Sequence, residues 1–186
     1  MCIGVIIMDT DIFCSASFSG YRPEKFYFPL EFDNLEYERL QTSIHNAIIQ
    51  ALELGYKTFL CGMAKGFDLT CADILLDIRE QQQQYSNTRL IAILPYAAHT
   101  FKDSWGNLHK IVKQCADQIV IVSPEYTQSC YYQRNRYLVE NASHLICYWD
   151  GQSGGTAQTV GMAQERGLTI CNLSDTTAPK RNLIIY

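Results

Sequence analysis

Leu145-Ile146-Cys147-Tyr148-Trp149 runs without a break into Asp150-Gly151-Gln152-Ser153-Gly154-Gly155-Thr156, and the reading of this junction decides the fold. The apolar run is a strand candidate, and a helical pattern follows from about Ala157 to Arg166. A glycine-rich turn from strand to helix aims free backbone N–H groups and the positive end of the helix dipole at one point. Such a turn can hold phosphate through Gly154, Gly155 and the Thr156 hydroxyl. The plainer alternative is a flexible turn with Thr156 as an ordinary N-cap. The stretch has no Gly-Lys-Ser/Thr, and it is not a G-x-G-x-x-G turn at the first strand.

Working outward, three other segments have a related character: Ser19-Gly20-Tyr21-Arg22-Pro23, Gly62-Met63-Ala64-Lys65-Gly66-Phe67-Asp68 and Gln133-Arg134-Asn135-Arg136. Further strand candidates are Ile12–Phe18, Thr58–Cys61, Leu90–Leu94, Gln118–Val122 and Thr169–Asn172. Most are short apolar runs without alternation, as parallel strands covered on both faces require. Residues 1–8 also look like a strand, but Ile12–Phe18 leads directly into a glycine loop and is the better first central strand. Leu40, Ile44, Ala47, Ile48, Ala51 and Leu52 trace one face of a helix, with Asp33 and Glu36 as its capping box and Gly55 as its stop. Leu108, Ile111, Val112 and Cys115 repeat the stripe in a later helix. The alternation predicts a doubly wound α/β fold with a mainly parallel sheet and helices on both faces. A strand order of 3-2-1-4-5 would make the four loop-bearing strands neighbours and bring their loops to one carboxyl-end crevice.

At 186 residues, with no repeat or linker, the chain reads as one domain over residues 1–186. Its 47% hydrophobic and 18% charged residues are ordinary for a globular protein. The net charge of -4 disfavours a nucleic acid partner, since no global basic field exists to attract one. The eight cysteines include no C-x-x-C pair, and the four histidines show no metal spacing, so no metal site is expected. Cysteines within apolar runs suit a reducing compartment, and Met1–Met8 is too short to span a bilayer and lacks the flank of a signal peptide. The expectation is a cytoplasmic protein without membrane contact; a homo-oligomer is left open.

Among the side chains, Arg134 carries the most information. Tyr131, Arg134 and Leu138 share one helical face that should look toward the sheet, whereas Arg136 faces water. An inward arginine needs a partner, either a ligand anion or a carboxylate such as Asp68 or Asp150. Asp68 begins a helix spanning about Leu69–Arg79, where it serves as an N-cap, contacts a ribose hydroxyl or acts as a base. Arg22 meets the crevice from a turn rigidified by Pro23. Asn135 reads a base edge or orients Arg134. The tyrosines at 126, 131 and 132 stack on a base or simply edge the core.

These segments, taken together, resemble the SLOG superfamily in its YpsA-like branch. The carrying residues are Ser19-Gly20-Tyr21-Arg22-Pro23, where the branch usually has Thr-Gly-His-Arg-Pro, then Cys61 to Asp68, Arg134-Asn135-Arg136-Tyr137, Asp150-Gly151 and Gly154-Gly155-Thr156. The resemblance runs from about Phe13 to Asn172 and departs at Tyr21 and at the extra N-terminal residues. It implies a Rossmann-like fold that binds nucleotides or nucleotide-derived molecules, and a bacterial or phage source fits the branch. Related branches are the lonely-guy phosphoribohydrolases and the DprA-like proteins that bind single-stranded DNA. Arg134 is similar in position to the arginine of the hydrolases' Met-His-x-Arg-Lys segment. Where their Pro-Gly-Gly-x-Gly-Thr-x-x-Glu motif has its glutamate, this chain has Thr159.

The site expected from these readings comprises Gly20, Tyr21, Arg22, Gly62, Met63, Ala64, Gly66, Asp68, Arg134, Asn135, Gly154, Gly155 and Thr156. The leading expectation is a sensor or regulator binding a nucleotide-like small molecule, with no further cofactor. An N-glycosidase using Arg134, with Asp68 in place of the lost glutamate, is the alternative. Single-stranded DNA binding comes third because of the acidic balance.

Overall fold

Strand and helix alternate along the computed structural model, which describes residues 11–174. In order, these are β1 (Ser15–Ser19), α1 (Leu35–Glu53), β2 (Thr58–Cys61), α2 (Phe67–Gln81), β3 (Arg89–Leu94) and α3 (Trp105–Cys115). They continue with β4 (Gln118–Ile121), α4 (Cys130–Glu140), β5 (His144–Cys147), α5 (Gly155–Glu165) and β6 (Thr169–Asn172). The strands form one six-stranded sheet in the order β4-β3-β2-β1-β5-β6, every pair parallel. This is the doubly wound arrangement the alternation predicts and the Rossmann-like fold the resemblance implies. The strand-like reading of residues 1–8 lies outside the described residues, as do both ends of the expected single domain.

Side-chain alternation sorts the core into two layers. Ala16, Phe18, Phe59, Cys61, Leu90 and Ala92 face one way, into a cluster with the α1 and α2 stripes. Leu60, Ile91 and Ile93 face the other way with Leu138 of α4, while Leu145 and Cys147 meet Val139 of α4 and Val160 and Ala163 of α5. The residues of β1 on that second side are Ser15, Ser17 and Ser19, all buried. Their small side chains leave room for α4, which contacts β1 as it crosses the sheet.

Several expectations need correction. The strand order is not 3-2-1-4-5: β4 pairs with β3 at the far edge, in the register Ile91↔Gln118. The chain then returns across the sheet through α4 to place β5 beside β1. Ile12–Cys14 is a 3-10 turn instead of strand, because the Asp11 side chain accepts from the Phe13 N–H and closes a local turn. The N-cap of α1 is Asn34, not Asp33; Asn34 Oδ1 accepts from both Glu36 N and Tyr37 N. The first-helix stripe is buried as expected, and Gly55, at φ 94, follows its end. In α3, however, Ile111 and Cys115 are exposed, and His109 and Val112 turn inward. That helix covers the edge of the sheet, where less surface needs hiding.

Candidate functional site

The direction of strand order reverses between β1 and β5, and open α/β sheets bind ligands in the crevice beyond the carboxyl ends at such a point. Here the loops after β1 and β5 meet the starts of α2, α4 and α5 around a cleft of ≈ 350 Å³. Ten of the thirteen expected residues line it: Gly20, Tyr21, Arg22, Ala64, Asp68, Arg134, Asn135, Gly154, Gly155 and Thr156. The structure does not put Gly62, Met63 and Gly66 on the lining. Met63 is fully buried, and Gly66 packs under the β1 loop, where a Cβ would stand 2.7 Å from the Tyr21 carbonyl oxygen.

At the floor of the cleft is an ion pair built from distant parts of the chain. Arg134 lies in the second turn of α4, on the inward helical face expected of it. Its Nη1 donates to the Gly62 carbonyl at 2.6 Å and to Asp68 Oδ2 at 3.1 Å. Of the two carboxylates expected as internal partners, the pair is therefore with Asp68. Gly62 makes the approach possible, since a Cβ there would lie 1.8 Å from Arg134 Nη1. Asp68 is not the N-cap of α2, which is Gly66; it sits at the second helical position, and its Oδ1 accepts from the Gly20 N–H at 3.1 Å. Burial pushes the Asp68 carboxyl up, and the Arg134 guanidinium with the Gly20 and Ala64 N–H groups opposes that shift without cancelling it. Arg134 itself is 6% exposed, yet its buried Nε has no acceptor among the described residues. A buried N–H of this kind is costly unless something fills the place before it.

The start of α5 supplies the opposite wall. Gly154 enters the helix at φ 137 and no side chain caps it, which leaves the first N–H groups without an acceptor inside the helix. Thr156 is not the N-cap either: its hydroxyl donates to the Gly20 carbonyl at 3.0 Å, tying α5 to the β1 loop. Asn135 Nδ2 donates to the Gly155 carbonyl at 3.3 Å and holds α4 against α5. Thr159 is fully buried and donates to the same carbonyl at 2.9 Å. Its side chain is thus engaged within the helix.

Above the cleft, Tyr21 is buried and its hydroxyl donates to Asp150 Oδ1, joining the β1 and β5 loops. Burial and then the bond to Asp150 raise the Tyr21 phenol. Burial alone would raise Asp150, but bonds from Tyr21 and Gln152 outweigh it and hold that carboxyl down. Lys25 and Glu24 also line the cleft and were missed in the sequence. Lys25 Nζ donates to the Ser153 carbonyl at 2.8 Å and stands 5.4 Å from the Tyr21 ring centre, beside the entry to α5. The available signal was Pro23, which opens a 3-10 turn, Pro23–Lys25, that brings Lys25 back over the rim. Glu24 leans toward Lys65, 3.7 Å away. The lining carries three cations, Arg22, Lys25 and Arg134, against two carboxylates, Glu24 and Asp68, a small positive excess within an acidic chain.

Beside the cleft, the buried His99 and His109 face each other, Nδ1 to Nε2, at 3.3 Å. Burial, helped by the His109 and Arg134 charges, lowers His99 to about 3. Among the described residues, no three His, Cys, Asp or Glu side chains are grouped to hold a metal ion. Nor is any described helix long and apolar enough to cross a membrane.

Fold and cleft together define a doubly wound α/β protein with a cleft at its switch point. The family model described as the YspA SLOG family (YpsA) matches residues 16–167, and the chain belongs to that family. A search of curated proteins found no match. Among solved structures, the chain is similar to DNA processing protein A (DprA) from Streptococcus pneumoniae, with a TM-score of 0.57 and 18% identity. That alignment covers 86% of this chain and 50% of the other. DNA processing protein A from Helicobacter pylori, described for its single-stranded DNA binding mode, matches with a TM-score of 0.53 and 14% identity, over 85% of this chain and 64% of that one. The chain thus spans roughly half to two thirds of these proteins, and at such identities they share its fold.

Proposed function

We propose that the cleft binds the phosphate of a nucleotide or nucleotide-derived small molecule, as the sensing or regulatory element of a larger process. The observation that carries this reading is Arg134: a buried, charged side chain on the lining of the cleft that the uncapped start of α5 also lines, with an Nε that has no acceptor among the described residues. A phosphate in the cleft would meet the guanidinium and the helix N-terminus together. A volume of ≈ 350 Å³ suits one mononucleotide at the small end of ligand pockets. The same geometry argues against N-glycosidase chemistry. Bond cleavage calls for a carboxylate free to move a proton or face an oxocarbenium centre, and both Asp68 oxygens are already engaged.

A second reading has one observation in its favour, the Helicobacter pylori neighbour described for binding single-stranded DNA. The net charge of -4 does not exclude it, since Arg22 and Lys25 gather positive charge locally at the cleft. Thermal unfolding against nucleoside monophosphates, their nucleosides and a single-stranded oligonucleotide separates the two. A ligand at a hundred times its Kd adds about 2.7 kcal/mol, which raises Tm by roughly 5–10 °C for a domain of this size. Stabilisation by a mononucleotide but not its nucleoside supports the proposal. Stabilisation by the oligonucleotide alone supports the second reading, and no response to any of them defeats both.

A further inference from the structure

Resting on the phosphate reading above, we infer that the cleft has a separate base subsite, the face of Tyr131 that Arg22 covers, so that its ligand is a nucleotide and not a bare sugar phosphate. Tyr131 lines the cleft one helical turn before Arg134 on α4. Side chains three apart on a helix are neighbours, about 5–6 Å between Cβ atoms. The anion floor and the aromatic wall are therefore presented side by side by one rigid element.

The ring is held by its own cluster. Tyr96, His99 and Tyr126 stand around it with centroids at 6.4, 6.2 and 6.5 Å and planes inclined by 87°, 77° and 68°. Such packing fixes its orientation without any parallel-stacked ring. What lies over it is the Arg22 guanidinium, 5.4 Å from the centroid. That group is planar, on an exposed side chain that makes no ion pair among the described residues. A planar cation resting on an aromatic face marks a place where a purine or pyrimidine can stack. Arg22 must swing outward to admit the base, and it can then cover the base from the solvent side.

The test is calorimetric titration of AMP and ribose 5-phosphate into the wild-type protein, Tyr131→Leu and Tyr131→Trp. In the wild type, AMP should bind about 10-fold more tightly than ribose 5-phosphate, within the range set by base–aromatic stacking. Tyr131→Leu should erase that margin while leaving ribose 5-phosphate unchanged, and Tyr131→Trp should restore it. A readout that needs no variant is the near-ultraviolet absorbance of adenine, which should fall as the base stacks on the wild-type protein. Equal binding of AMP and ribose 5-phosphate, or unchanged adenine absorbance on binding, overturns the base subsite and leaves the phosphate reading intact. Failure of both ligands to bind overturns the two together.

Discussion

Replacing Gly62 by alanine should break the floor of the cleft by adding one methyl group. The backbone there needs no left-handed conformation, so the effect is steric: the new Cβ would lie 1.8 Å from Arg134 Nη1 and 2.8 Å from Asp68 Oδ2. Ordinary contact begins at 3.4 Å, so the guanidinium must retreat by about 1.6 Å. That movement costs Nη1 its bond to the Gly62 carbonyl and its pairing with Asp68, now 2.6 and 3.1 Å. Asp68 is 2% exposed and would keep only the backbone N–H groups around it. Breaking a buried pair while leaving one charge behind costs about 3–5 kcal/mol, or roughly 6–20 °C in Tm for a domain of this size. The assay is urea or thermal denaturation beside Gly161→Ala, a helix-interior glycine whose added Cβ meets nothing within 4 Å. The control should gain up to about 1 kcal/mol. A Gly62→Ala protein as stable as wild type would refute the view that Arg134 and Asp68 are locked by that bare Cα.

Three further outcomes follow from the same geometry. Thr156→Val should cost about 0.5–1.5 kcal/mol of stability and little anion affinity, because the hydroxyl proton is given to the Gly20 carbonyl; a loss confined to ligand binding would contradict this. Stability should fall as pH drops from about 6.5 toward 3, since the unfolded chain protonates its histidines near 6.5 while buried His99 resists protonation down to about 3. His99→Gln should flatten that slope in denaturation curves. Asp68, shifted upward, acts in the opposite sense in both proteins and cancels from the comparison, so an unchanged slope would show that His99 is not responsible. AMP incubated with the protein should release no free base, because Thr159 is fully buried and bonded to the Gly155 carbonyl; release abolished by Asp68→Asn would establish the hydrolase instead.

The parts of the fold legible in the sequence are those fixed by local burial. Thr58–Cys61 is buried throughout and read cleanly as a central strand, and Leu40 to Leu52 betrayed their helix by period. Strand order was not legible, because nothing within Gln118–Ile121 states that its partner is β3; pairing is decided by where α4 can cross. Arg134 was legible in part. Its inward face followed from Tyr131 and Leu138, but the choice of Asp68 over Asp150 depended on the glycine at position 62. For Lys25 the only signal is the turn that Pro23 opens; its contact with Ser153 joins residues 128 apart and is not legible. Thr156 was placed correctly at the helix start, yet its hydroxyl bonds across to Gly20, a partner that only the fold supplies.

The central claim, that the buried arginine and the α5 entry receive one phosphate, is tested most directly by a crystal structure of the protein with AMP bound. The account predicts phosphate oxygens at about 2.7–3.2 Å from the Arg134 guanidinium and from the Gly155 and Thr156 backbone nitrogens. A phosphate seated elsewhere, touching neither the Arg134 guanidinium nor the start of α5, would contradict it.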